Sequence, residues 1–498
     1  MPVTQSIDDL LIAAGGLGRY QFQQAVLNCG SFAICSASLL LPNLLYPRLR
    51  EAWPSLTKAE TASVSSIFFV GNLLGLAAWG SFGDSYGRRK ATIYSLALLL
   101  VVSPLSFAVS SVPGLAATRA CVGFAVGGLL NAAFLLQVEL APPKERMKSK
   151  IILALAGWVV GALWVDLLAF MVRGASSWRL LALYLAPFVF LLLAAILFLE
   201  ESARYLLVSG KHDAALSTLY EIGETNRTPL PASTRLQQPP PTSSEDGATL
   251  RRALELLHPT LRKRTALVGL AWFGSTCAYY GVALSGGDPL AGGDLYLTNA
   301  LSALLEAPAY LVMACADTFG RRRTWAAFLI IAAIALMLLA AFSTIIPAPI
   351  ATILMLVARF GSTGASAICY VAAAEQFPSS CRNLGVNYGA GCGRLGSILS
   401  PLMKLLPSPS AVLGGIGAIA ALAVLALPET QGVQVPETVQ AAAAPTSSSS
   451  TRAAGAIGSA FDEGGGVELD QSDDTTEGQR NDAGSLLGRG HVASDSKI

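Results

Sequence analysis

Long apolar runs alternate with short polar breaks along most of the chain. A membrane-crossing helix needs about 20 mainly apolar residues. Twelve windows meet that requirement: 25–47, 62–82, 91–110, 114–139, 150–172, 178–199, 264–284, 294–316, 324–344, 348–374, 383–405 and 409–427. Six precede a polar stretch and six follow it. The stretch opens with "ESARYLLVSGKHDAALSTLYEIGETN", whose apolar spacing predicts a short amphipathic helix. It continues through the Pro- and Ser-rich "LQQPPPTSSEDG" and ends in a basic helix, "LRRALELLHPTLRKR". Residues 432–498 have few large apolar side chains and are expected to be disordered. The pattern therefore divides the chain into an N-terminal segment (1–24), a six-helix bundle (25–199), a linker (200–263), a second six-helix bundle (264–431) and a tail (432–498). The predicted fold is an all-α membrane protein with 12 transmembrane helices.

Composition agrees with a lipid solvent. Of 498 residues 53% are hydrophobic and only 13% are charged, against roughly 25% charged in soluble domains. The net charge of +2 points to no partner, and no basic stripe with interleaved aromatics suggests nucleic acid. The cysteines are scattered, without CxxC or Cys/His spacing, so neither a metal nor a disulfide framework is indicated. The three histidines, His212, His258 and His491, lie outside the spans. No nucleophile–base set stands out, so neither an enzyme nor a cofactor is expected. The N-terminus lacks a basic start followed by a clean apolar core, so no cleavable signal peptide is expected.

Loop cations set the expected orientation. Arg88, Arg89 and Lys90 follow the second span. Lys144, Arg146, Lys148 and Lys150 follow the fourth, Arg262, Lys263 and Arg264 precede the seventh, and Arg321, Arg322 and Arg323 follow the eighth. All fall on one side, which places both termini in the cytoplasm. Arg48, Arg50 and Lys58 lie in the first opposite loop. Asn226 begins a glycosylation sequon, but on the cytoplasmic side. "DAGSLL" (482–487) matches an acidic dileucine sorting pattern, which leaves the plasma membrane and an intracellular vesicle both open.

Two strings recur. "GSFGDSYGRRK" (80–90) returns as "ADTFGRRRT" (316–324), with Asp84 and Asp317 each followed by x-x-Gly-Arg-Arg. "ELAPPKER" returns as "EQFPSSCR", with Glu139, Pro142 and Arg146 matching Glu375, Pro378 and Arg382. A looser pair, "EESAR" (200–204) and "PET" (428–430), closes the sixth and twelfth spans. The repetition predicts a duplicated six-helix unit. Gly80 and Gly87 permit a tight turn and close helix approach. The charges at these helix ends are expected to pair when the two units close there and to separate into water when they open.

These strings resemble the signatures of the major facilitator superfamily. "GSFGDSYGRRK" is similar to its signature between the second and third helices. Arg119, Gly123 and Gly127 in "RACVGFAVGG" are similar to its fourth-helix signature. Within the superfamily, "GLGRYQ" (16–21), "WF…YYG" (272–281), "LEAP" (305–308) and "EQFPSSCRNLG" (375–385) resemble the synaptic-vesicle-related and organic ion transporters. The resemblance implies alternating access around a central site between two bundles. It also implies a gating set made of Gly80, Asp84, Gly87, Arg88, Glu139, Arg146, Glu201, Arg204, Asp317, Gly320, Arg321, Glu375 and Arg382. The loops after helices one and seven are short for that branch. "AICSASLLLP" in helix one carries no acid, where relatives hold one.

Ionisable residues inside a membrane cost about 2.5–3.5 kcal/mol each and usually face an interior cavity. Arg119, Asp166, Glu306, Arg359 and Arg394 stand out, with structural pairing of Asp166 and Arg119 as an alternative. Arg394 has the fork geometry that suits a carboxylate, sulfate or phosphate, and in the resembling family an Arg at this place goes with anion transport. Trp164, Tyr280 and Tyr370 are possible aromatic walls. The expected partner is a small organic ion, an anion before a cation or sugar. Asp166 and Glu306 are the two acids deep enough for proton coupling, and facilitated diffusion is equally allowed. A monomer is expected. A non-transporting receptor or scaffold is the rival reading.

Overall fold

The spans become helices because each turn of Leu, Ala, Val and Ile satisfies its own backbone in a solvent without hydrogen-bond partners. A computed structural model describes residues 4–237, 254–287, 294–314, 316–378 and 380–431. The predicted tail, most of the Pro-rich linker and the Asp317 side chain lie outside what is described.

A short helix α1 (Ile7–Ala13) precedes α2 (Arg19–Leu40), which continues through α3 (Pro42–Ala52). Then follow α4 (Lys58–Tyr86), α5 (Arg88–Ala108) and α6 (Val112–Glu139). The fifth span is composite: α7 (Arg146–Ile152), a π-helical stretch over Leu153–Val159, and α8 (Val160–Met171). The sixth is a 3-10 helix over Trp178–Leu185 continued by α9 (Ala186–Phe198). Two short helices, α10 (Ala203–Val208) and α11 (His212–Thr225), lead into the linker. The second half contains α12 (Arg262–Ala283), α13 (Leu295–Ala314), α14 (Ala316–Phe319), α15 (Arg321–Ala341), α16 (Ala348–Glu375), α17 (Arg382–Met403) and α18 (Pro409–Leu425). Among the described residues, nine of these spans are long and apolar enough to cross a membrane by length and composition. The helices α13, α17 and the shorter α18 occupy the remaining three predicted windows. Large apolar side chains point outward, such as Phe190, Leu193 and Leu197 of α9, as a lipid solvent allows.

Local chemistry sets the breaks. Thr57 and Glu60 form a reciprocal capping box at the start of α4, and Ser111 caps α6 through the Gly114 N–H. Gly87 and Gly320 separate paired helices with φ of 110° and 92°, a region that favours glycine. The α4–α6 crossing is the closest packing in the first half. A Cβ on Gly71 or Gly123 would fall 2.0 Å from the carbonyl oxygen of Ala120 or Phe68, and one on Gly75 would fall 2.0 Å from that of Phe124. Both helices carry the small-xxx-small spacing, "GNLLG" and "GFAVG".

The N-terminal segment is more structured than a simple leader into the first span. Ser6 and Asp9 form a capping box on α1. Ile7, Leu10 and Leu11 are buried against Ala203, Leu207, Ala215, Leu219 and Ile222 of α10 and α11. A two-residue parallel ladder pairs β1 (Thr4–Gln5) with β2 (Arg235–Leu236). Asn226, the sequon residue, clasps the entry to α2. It accepts from the Tyr20 N–H at 2.9 Å and donates to the Ala14 carbonyl at 2.8 Å and the Gln21 side chain at 3.0 Å. A Cβ on Gly18 would collide with Asn226 at 2.3 Å, so this glycine of "GLGRYQ" makes the clasp possible.

Candidate functional site

At the end of the molecule that carries the repeated strings, each half builds the same bracket. In the first half, Arg88 pairs with Asp84 at 2.9 Å and Glu139 at 3.4 Å. The backbone N–H groups of Arg88 and Arg89 donate to Glu201 at 3.0 and 3.1 Å. Arg88 also lies over the Tyr205 ring, 5.3 Å from its centroid. In the second half, Arg321 pairs with Glu375, which also accepts a 2.6 Å bond from the Thr430 hydroxyl. The Arg322 N–H donates to Glu429 at 3.3 Å. Arg88, Glu139 and Glu201 thus correspond to Arg321, Glu375 and Glu429. Each of these ion pairs joins groups of one half. Arg146 and Arg204 share Asp8 of α1 rather than reaching the carboxylates of the other half. The expected pairing between halves is not among these contacts. Gly80 has open space apart from the Asn131 side chain, and Arg382 begins α17.

Between the halves lies a buried charge cluster. Arg359 of α16 forms an ion pair with Glu306 of α13, at 2% and 0% side-chain exposure. Glu306 also accepts from the hydroxyls of Tyr279 and Tyr310, at 3.3 Å each. The Trp158 indole, from the π-helical stretch of the first half, donates to the Tyr279 hydroxyl at 2.9 Å. Asp166 of α8 lines a small cavity with Asn43, Asn299, Ser302 and Arg359. Its electrostatic partner is Arg359, not Arg119.

Arg119 belongs elsewhere. It is 1% exposed, donates to the Ser38 carbonyl at 2.9 Å and lies over the Phe68 ring at 4.7 Å. The alternative that pairs it with Asp166 is therefore incorrect, because α6 turns Arg119 onto the Ser38 carbonyl and the Phe68 ring, whereas α8 turns Asp166 into the cavity it shares with Arg359 of the other half. Trp164 likewise turns inward and donates to the Tyr184 carbonyl at 2.9 Å. It braces the sixth span.

A second group joins Arg394, Tyr280, Tyr370 and Lys150. Arg394 lies within electrostatic reach of Tyr280 and Tyr370. Lys150, from α7 in the other half, places its Nζ 4.9 Å from the Tyr370 ring centroid and donates to the Ala367 carbonyl at 3.3 Å. Tyr370 packs edge-on against Trp272 at 4.8 Å, and Tyr280 packs at a tilt against Phe69 at 4.7 Å. Toward the opposite end the halves are joined by Asn43, which donates to the Ala283 carbonyl at 2.7 Å, and by Arg48, which donates to the Tyr296 hydroxyl at 3.2 Å.

Two bundles with matched end brackets and a charged seam between them are the geometry of an alternating-access carrier. The sugar (and other) transporter profile matches residues 20–442. The chain belongs to this family of major facilitator transporters. It is 28% identical to the synaptic vesicle 2-related protein of Rattus norvegicus over 80% of this chain and 76% of that one. It is 31% identical to solute carrier family 22 member 15 of Xenopus tropicalis, covering 76% and 72%. A partially occluded inward-open structure of the xylose transporter XylE from E. coli superposes with a TM-score of 0.65 at 19% identity, over 84% of this chain and 100% of that one.

In this transporter three residues carry contacts that the sequence did not single out. Lys150 reads as one more topogenic cation but reaches the seam between halves. Asp8 reads as a terminal charge but holds both Arg146 and Arg204. Asn299, a neutral residue without a motif, is 7% exposed and lines the Asp166 cavity.

Proposed function

We propose that this transporter carries a small organic anion by alternating access, with both termini in the cytoplasm. The observation that carries the reading is that Lys150, from the first half, lies against the Tyr370 ring while Arg394, from the second, is within electrostatic reach of the same residue. Two cations set among Tyr280, Tyr370 and Trp272 suit a planar carboxylate: the guanidinium supplies a bidentate bond and the rings supply apolar walls. Glu306, within electrostatic reach of Tyr280, is paired with Arg359 and does not oppose an anion. Because each cation comes from a different half, the anion would be gripped only while the halves meet there. The repeated brackets around Arg88 and Arg321 would hold the cytoplasmic loops of each half rigid as the halves rock. The site is complete within one chain, so a monomer suffices.

Purified protein in proteoliposomes, offered labelled benzoate, tetraethylammonium and glucose, tests this. Benzoate uptake that Arg394→Asp reduces at least tenfold is the expected result. Uptake of tetraethylammonium or glucose, unaffected by Arg394→Asp, overturns the anion assignment and leaves the transporter. No uptake from folded protein favours a receptor or scaffold.

A further inference from the structure

We propose that Asp166 is a proton-binding site whose affinity is set by Arg359 on the opposite half, and that it couples proton movement to the transport cycle. This rests on the family's alternating access, not on the charge of the substrate.

Three ionisable groups, Asp166, Glu306 and Arg359, are buried together in the interior of the membrane span, at 7%, 0% and 2% exposure. One guanidinium faces two carboxylates. Fully ionised, the set carries an uncompensated negative charge in a medium that penalises it heavily. Arg359 is already committed to Glu306, which also receives the Tyr279 and Tyr310 hydroxyls. Asp166 forms no hydrogen bond and no ion pair among the described residues. It is therefore the group that is neutralised by a proton.

The cavity that Asp166 shares with Asn43, Asn299, Ser302 and Arg359 measures about 10 Å³, the room of roughly one water molecule. An organic ion does not fit. The Asn299 Nδ2 group is buried there without an acceptor, and a protonated carboxyl retains a carbonyl oxygen that can accept from it. Arg359 on one wall disfavours a metal cation.

Asp166 lies on α8 and Arg359 on α16, so rocking of the halves changes their separation. A site whose proton affinity differs between two conformations couples protons to that change by linkage. The surroundings add no competing carboxylate. Glu306 stands behind Arg359 on α13, with Tyr279 on α12 and Tyr310 on α13 beside it. Arg48 of α3 is held about one turn away, on the Ala169 carbonyl and Tyr296 hydroxyl. Tyr184 of the sixth span bonds Ser38 and Ser103. Arg119 is held on the Ser38 carbonyl.

Infrared difference spectroscopy of the full chain in lipid nanodiscs, with pH stepped between about 5 and 9, tests this without a substrate. The expected result is a protonated-carboxyl C=O band that titrates in wild type and is lost in Asp166→Asn, whose amide mimics the neutral acid and preserves the fold. Glu306→Gln frees Arg359 for Asp166 and is expected to move the titration to lower pH. A titrating band that survives unchanged in Asp166→Asn overturns the proposal. So does a wild type without such a band. A shift of the Asp166 carboxylate band on replacing potassium with sodium, with no protonated band, assigns the site to a metal cation instead and also overturns it.

Discussion

Glu201 and Glu429 occupy matching places after the sixth and twelfth spans, yet their surroundings drive their acidities apart. Burial pushes Glu201 above the ordinary value of 4.5, and the N–H groups of Ser202, Arg89 and Arg88 recover only part of that shift. Burial also pushes Glu429 up, but the N–H groups of Arg322, Thr430 and Gln431 prevail and hold it below 4.5. For Glu201 the folded state binds its proton more tightly than the unfolded chain. Its contribution is present below the ordinary value and is lost as pH climbs through the raised one. Glu429 has the opposite sign: its contribution is present above the ordinary value and is lost as pH falls through the depressed one. Thermal unfolding against pH is expected to show a shallower decline on the alkaline side of 4.5 in Glu201→Gln and a shallower decline on the acid side in Glu429→Gln. Equal profiles for the two variants would contradict this asymmetry. Glu200, also raised by burial and by Glu221, keeps the first slope from vanishing.

At the scale of elements, close helix crossings and irregular turns decide where side chains go. The π-helical stretch Leu153–Val159 lies against α2, where a Cβ on Gly157 would meet Phe32 at 2.6 Å and one on Gly161 would meet the Ala33 carbonyl at 2.1 Å. This tight seat holds the fifth span so that Trp158 reaches Tyr279 and Asp166 reaches the cavity beside Arg359. The α4–α6 crossing is equally intolerant. Gly75→Leu forces side-chain atoms into the Phe124 backbone and is expected to cost about 3 kcal/mol, seen as loss of the monodisperse peak in size-exclusion chromatography. A Cβ on Gly415 of α18 meets nothing within 4 Å, so Gly415→Leu is expected to behave as wild type.

Across the whole molecule, the two halves are tied at different depths by different chemistry. Toward the end opposite the repeated strings, Asn43 bridges to the Ala283 carbonyl and faces the Asn299 side chain at 3.5 Å. Toward the repeated strings, Lys150 bridges to Ala367. Alternating access requires the first set to part during each cycle. Oxidative cross-linking of the double variant Asn43→Cys with Asn299→Cys is therefore expected to abolish uptake in proteoliposomes, and reduction is expected to restore it. Full uptake by the cross-linked protein would show that these helices need not separate.

The apolar runs, their arrangement about a polar stretch, and the repeated charged strings are written in the sequence by itself. Lipid imposes that legibility: it demands apolar runs of fixed length, and each helix completes its own hydrogen bonds without help from neighbours. The matched brackets also follow, because Arg88 and Glu139 sit at helix ends whose spacing repeats in Arg321 and Glu375. What the sequence left open is which buried charge meets which. Arg119, Asp166, Glu306 and Arg359 all read as interior charges. Only the rotation and crossing of the helices turns Arg119 onto the Ser38 carbonyl, locks Glu306 to Arg359 and leaves Asp166 across the seam. Those angles depend on where glycines let backbones touch, as at Gly157 and Gly161, and on the wide turn of the fifth span. The tertiary structure therefore decided the chemistry of the interior, because contacts between helices far apart in the chain are set by packing in three dimensions and not by the hydropathy of any one segment.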